Sequence, residues 1–230
     1  MQPYTYLLVN FFTIIICFIA SFDRRVLFNK HFGAYFKAAF VAAVPFIAWD
    51  VWFTKMGVWW FDTNYTTGVV LLGLPLEEML FFFCIPFSCV FTYYCLDKFF
   101  NLDWTNVFSK YLTWITVLVG VGVAIAFHDR IYPFVTGLVV SGTVIYLYYI
   151  AKVDWIGKAS FVFFILLPGF FMVNGVLTGT GVDSPIVNYN PDQILNLRML
   201  TIPIEDAVYG YAQFLIVIYL FKRFIRPSVL

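Results

Sequence analysis

"GLPLEEMLFFFCIP", residues 73–86, places two adjacent carboxylates, Glu77 and Glu78, inside an apolar run. Pro75 stands just before them, and Phe81, Phe82 and Phe83 just after. The surroundings decide what those acids are. The chain has 230 residues, 62% of them hydrophobic and only 12% charged, with a mean hydropathy of +0.87. A water-soluble domain of this length could not cover so much apolar surface, so the composition reads as an all-α, polytopic membrane protein. A net charge of +1 argues against a nucleic-acid partner. Cys17, Cys84, Cys89 and Cys95 all lie in apolar segments without a CxxC pair, and read as free thiols rather than disulfides or zinc ligands.

About 20 apolar residues span a bilayer as a helix. Seven stretches qualify: 4–22, 35–53, 69–96, 111–127, 131–150, 159–177 and 199–221. The first has no basic leader and reads as a retained span rather than a signal peptide. The third holds Pro75 and Pro86, so a tilt, kink or break is open there. With the N-terminus outside, the cytoplasmic segments hold Arg24, Arg25, Lys30, Lys37, Lys98, Lys110, Lys152, Lys158, Lys222, Arg223 and Arg226. The outer segments hold only Lys55, Arg130 and Arg198. The positive-inside rule therefore puts the N-terminus outside and the C-terminus in the cytoplasm, and the expected location is the cell's cytoplasmic membrane.

The acidic element occurs twice. "MLTIPIEDAVYGYAQFL" (199–215) again sets an acidic pair, Glu205 and Asp206, just after a proline. At an offset of 128, Phe61 meets Tyr189, Asp62 meets Asn190, Leu72 meets Leu200 and Pro75 meets Pro203. At an offset of 124, Asp50 meets Asn174. The pattern predicts a three-helix repeat over 1–100, a linking helix over 101–130 and a second repeat over 131–230. An odd helix count plus one linker leaves both halves in one orientation, related by an axis along the membrane normal. The acidic pairs are then expected some six to ten residues into their helices, roughly 9–15 Å deep, facing a shared interior cavity.

Five of the 13 acidic residues fall within spans: Asp50, Glu77, Glu78, Glu205 and Asp206. An ionised side chain at mid-membrane costs roughly 2.5–3.5 kcal/mol on insertion scales, so a repeated pair implies a role. The competing view is hydrogen-bonded glue between helices. A buried carboxyl beside another carboxyl is suited to general acid work. Glu77 shares a helix face with Phe81, and Glu205 with Tyr209. Aromatic faces stabilise a cation without capturing it. Most of the 51 aromatics must simply pack or anchor the spans.

No dinucleotide or P-loop motif is present. His31 and His128 lie in loops on opposite sides, leaving no His-based metal site. Carboxylates can hold Mg²⁺, and "NYNPD" (188–192) faintly echoes Asp-rich diphosphate loops, but a second such loop is lacking. No lysine lies within span 7, which excludes a retinal Schiff base. The sequence thus calls for neither cofactor nor metal.

The twin elements "LPLEEMLFFFCIP" and "LTIPIEDAVY", each closing a three-helix repeat, resemble the lycopene cyclase domain of membrane-integral carotenoid cyclases, in their fused single-chain form. The resemblance covers about residues 4–221. The second element departs from the first: Asp206 replaces a glutamate, and Tyr209 and Tyr211 replace phenylalanines. The resemblance implies proton-initiated cyclisation of lycopene to β-carotene by way of γ-carotene, a non-redox isomerisation. The substrate would come from the bilayer. Membrane lipid is a further partner, and contact with other carotenoid enzymes or a second copy stays open. Glu77, Glu78, Glu205 and Asp206 form the expected acid–base set, with Glu77 and Glu205 the favoured donors. Phe81, Phe82 and Tyr209 are candidate cation stabilisers, and Asp50 and Asn174 orient the acids. A small proton-coupled transporter using the same carboxylates is the alternative from another class, and a purely structural subunit is a third.

Overall fold

A computed structural model describes residues 2–225. Arg226, counted above among the cytoplasmic cations, lies outside the described residues. Among the described residues seven helices carry the chain: α1 (Thr5–Ala20), α2 (Phe32–Lys55), α3 (Leu76–Phe99), α4 (Ser109–Ala126), α5 (Ile131–Ile145), α6 (Ile156–Leu177) and α7 (Ile204–Phe224). Together with short 3₁₀ or π turns that extend four of them, all seven are long and apolar enough to cross a membrane. The protein is an all-α polytopic membrane protein.

Two expected boundaries move. Spans three and seven were drawn from residues 69 and 199, but the helices begin at Leu76 and Ile204. The preceding residues instead form hairpins. β2 (Val70–Leu71) pairs with β3 (Leu74–Pro75), and β5 (Arg198–Met199) pairs with β6 (Ile202–Pro203). Apolar composition alone cannot distinguish a buried strand from a helical turn. Backbone geometry makes the distinction: Leu72 and Leu200 both adopt left-handed φ, 55° and 58°, which no helix accommodates. Pro75 and Pro203 then cap the helices in an extended conformation, where the missing N–H costs nothing. The acidic pairs therefore sit in the first turn of α3 and α7, rather than six to ten residues in. α3 runs unbroken past Pro86.

The two hairpin segments are tied together at one end of the bundle. β1 (Trp59–Phe61) pairs antiparallel with β4 (Val187–Tyr189), in the register Trp59–Tyr189, Trp60–Asn188, Phe61–Val187. Trp60 and Asn188 are themselves equivalent at the offset of 128, so a pseudo-two-fold axis passes between them. The flanking bonds obey it: Asp62 N–H donates to Ile186 C=O, and Asn190 N–H to Val58 C=O, each at 2.8 Å. α2 and α6 match as well, at the offset of 124. Phe40, Val41, Val44, Pro45 and Ala48 form the exposed stripe of one, and Phe164, Ile165, Pro168, Gly169 and Met172 that of the other.

α4 breaks the symmetry by packing against α5 alone of the two related first helices. Gly120 and Gly137 permit this approach. A Cβ on Gly137 would come within 2.4 Å of the Gly120 carbonyl. Small residues of this kind drive close helix contact in lipid, where no hydrophobic force separates helix from tail. α1 and α6 lack such cover and are the two least buried spans.

Candidate active site

Neighbouring residues on a helix point about 100° apart, so the two acids of each pair face different surroundings. Glu77 turns back toward its hairpin: Oε1 accepts the Thr67 amide at 2.7 Å. Glu205 does the same with the Leu195 amide at 2.6 Å. Both bonds span ten residues, and both carboxyls are buried, at 0% and 3% exposure. Asn10 of α1 donates to the Glu77 carbonyl at 2.8 Å. The first acid of each pair thus clamps the loop that leads into its own helix.

Glu78 and Asp206 face the bundle interior. Glu78 Oε2 accepts the Tyr6 hydroxyl at 2.5 Å. The buried carboxyl of Asp50 on α2 lines the same cavity wall, its Oδ2 without a hydrogen-bond partner among the described residues. Asp50 Oδ1 in turn accepts the Trp59 indole N–H at 2.6 Å. Asp206 takes two phenols: Tyr132 donates to Oδ1 at 2.8 Å and Tyr189 to Oδ2 at 2.7 Å. The rings of Tyr132 and Tyr189 stack 6.3 Å apart at an interplanar angle of 7°. Tyr189 belongs to β4, outside the spans, and burial, with the Asp206 charge adding to it, holds its phenol well above the ordinary range. It therefore stays a hydrogen-bond donor.

Glu78, Asp50 and Asp206 line one cavity of about 570 Å³. It lies among α1, α3, α6 and α7, with Phe81, Tyr209 and Asn174 also in its wall. Its mouth is lateral: Leu8 and Phe12 of α1 and Met172 of α6 line it and are also exposed on the bundle's flank. Of the residues singled out from sequence, six reach this cavity. Glu77 and Glu205 do not, and Phe82 is buried in the core beside it at 2% exposure. Asn174 lines the wall, its side-chain N–H₂ 3.5 Å from the Phe170 carbonyl. The sequence reading missed Tyr6, Tyr132, Tyr189 and Trp59 as the groups that hold the acids. A faint signal exists: Tyr6 and Tyr132 recur at an offset of 126, near the start of each repeat's first helix. Among the described residues, no group of three or more His, Cys, Asp or Glu is placed to hold a metal ion.

The cavity is thus walled by aromatic rings and three carboxyls and opens on the flank of a bundle of apolar helices. The family model for lycopene cyclase matches residues 3–96 and 129–224, one segment for each repeat. The chain belongs to the lycopene cyclase family, whose general activity is carotenoid cyclisation. No curated protein and no solved structure matches it.

Proposed function

We propose that this chain closes the end groups of lycopene into β-ionone rings, giving γ-carotene and then β-carotene, by proton transfer without net redox change. The observation that carries the reading is the convergence of Glu78, Asp50 and Asp206 on one cavity that opens sideways toward lipid. A linear polyene dissolves in the bilayer and would enter from there.

The Glu78–Asp50 pair is the proton donor. Two neighbouring buried carboxyls on one cavity titrate as a pair and keep a proton between them, and the Tyr6 hydroxyl orients Glu78. The proton adds to the terminal double bond of the end group and leaves a tertiary carbocation. A second double bond of the same end group supplies its electron pair, closing the six-membered ring and passing the charge to a ring carbon. Loss of a neighbouring proton to Asp206 forms the ring double bond, so one proton enters and one leaves. Phe81 and Tyr209 offer ring faces to the cation. Both oxygens of Asp206 already accept from phenols, which holds it as an acceptor in a fixed orientation. Glu77 and Glu205, the favoured donors on sequence grounds, become positioning residues, because their carboxyls bond the Thr67 and Leu195 amides and do not line the cavity. The bias of Lys and Arg supports a hairpin end facing outward and a C-terminus in the cytoplasm.

The test is expression in a bacterium that accumulates lycopene, followed by chromatography of the extracted pigment. Bicyclic β-carotene is the expected product. An ε-ring product would overturn the assignment of the final deprotonation, and unchanged lycopene with the protein present in the membrane would overturn the reaction.

A further inference from the structure

A pseudo-two-fold fold with one acid cavity raises the question of what lies at the related position. The cavity mouth includes Phe12, Ser88 and Gly169. Their equivalents, at the offsets that relate the helices, are Leu138, Ile216 and Pro45. All three line a second groove of about 520 Å³ among α2, α5 and α7. The molecule therefore carries two related mouths. Only the first reaches the acids; no acidic residue lines the second.

The difference lies one turn further in. On the open side, the wall residues Phe170, Val173 and Phe81 line the cavity. Their equivalents on the closed side are Phe46, Trp49 and Tyr209. These three pack on one another: Trp49 and Tyr209 centroids lie 4.8 Å apart, Phe46 and Tyr209 5.1 Å apart. Along α2, Phe46 and Trp49 fall between Pro45, which lines the groove, and Asp50, which lines the cavity, and Tyr209 meets them from α7. Trp49 is buried, and its indole N–H has no partner, so it serves there as bulk rather than as a donor. A valine at the related position leaves the open side open.

We propose that substrate enters only between α1 and α6, that Trp49 seals the related entrance between α2 and α5, and that a substrate with two reactive ends is turned around between reactions. This rests on the cyclase reading. With one mouth, a ring formed at the acids must withdraw before the other end can reach them. The half-converted, monocyclic molecule therefore returns to the membrane between the two reactions.

Two glycines provide matched probes. Gly169 lies at the open mouth and Gly142 at the sealed groove, and a Cβ at either meets nothing within 4 Å. Gly169→Trp and Gly142→Trp should both fold. In lycopene-containing membranes, binding is read by the circular dichroism induced in the achiral polyene, and turnover by chromatography. Gly169→Trp is expected to lose both signals, and Gly142→Trp to keep both. Loss in both variants, or in neither, overturns the single entrance. A wild type that shows the induced signal without product would sink the cyclase reading but leave the entrance standing, and one showing neither would sink both. In a second arm, isotopically labelled lycopene is converted in the presence of added unlabelled monocyclic carotene. Dilution of label in the bicyclic product is expected, and undiluted label overturns the turnaround.

Discussion

Glu78 and Asp206 occupy equivalent places in the two repeats, and each is held by an equivalent tyrosine, Tyr6 or Tyr132. Behind that common contact the halves diverge. Glu78 is backed by Asp50, whose equivalent in the second half is the amide Asn174. Asp206 is backed by Tyr189, whose equivalent in the first half is Phe61, a ring with no hydroxyl. One half therefore presents two carboxyls to the cavity, and the other a single carboxyl whose two oxygens both accept from phenols. On the proposed reading, these four side chains turn one half toward giving a proton and the other toward accepting it.

The largest expected effect is on the two cavity acids themselves. Glu78→Gln and Asp206→Asn keep size and polarity while removing the transferable proton or its acceptor. Each should lower cyclisation by about 10²–10⁴-fold, with the protein still extractable from the membrane as a folded species. If either variant retains turnover near wild type, the division between halves is wrong. Asp50→Asn comes next. It makes the first half resemble the second and leaves Glu78 without its carboxyl partner. A hydrogen bond to a charged group contributes about 1.5–3 kcal/mol, so a loss of roughly 10–150-fold in turnover is expected. An unaffected rate would show that Glu78 acts alone.

The second comparison is within each pair, between the acid that clamps a hairpin and the acid that faces the cavity. Glu77→Ala and Glu205→Ala each leave a backbone amide, of Thr67 or Leu195, without its acceptor. The expected cost is about 1–3 kcal/mol of stability, seen as a lower thermal unfolding midpoint in detergent. Cyclisation per folded molecule should persist. Glu77 or Glu205 variants that fold normally yet lose all activity would return the donor role to these residues.

The seven spans were legible because apolar length survives in composition, and the recurring Pro-x-acidic-acidic element pointed to the carboxylates, of which Glu78 and Asp206 line the cavity. The hairpins over 69–75 and 197–203 were not legible. Val70, Leu71 and Leu74 are as apolar as the helix they precede, and only the left-handed backbone at Leu72 and the cap at Pro75 separate them. That boundary also decided which acid faces the cavity. With a helix drawn from 69, both glutamates seem equally interior. With a helix starting at Leu76, Glu77 falls back on its own loop. Tyr6, Tyr132 and Trp59 were hidden for another reason: among 51 aromatics, no local pattern separates a ring that packs from one that donates.

The smallest expected effect tests the finest point of difference. Tyr189→Phe restores in the second half what Phe61 supplies in the first, and removes one of the two phenols on Asp206. Tyr132 remains on the other oxygen at 2.8 Å, and the ring at 189 can keep its stack on Tyr132. Only one hydrogen bond to the carboxylate is lost, and with Tyr132 still holding it the loss falls at the low end for a charged partner, about 1.5 kcal/mol, roughly a tenfold fall in turnover. The product pattern carries more information than the rate. Asp206 oriented by two phenols reaches one particular proton of the ring cation; held by one, it can swing toward another. A variant that turns over more slowly and yields some product with the ring double bond displaced would mark Tyr189 as the group that fixes which proton leaves. A slower variant with unchanged product would confine it to holding the carboxylate in place.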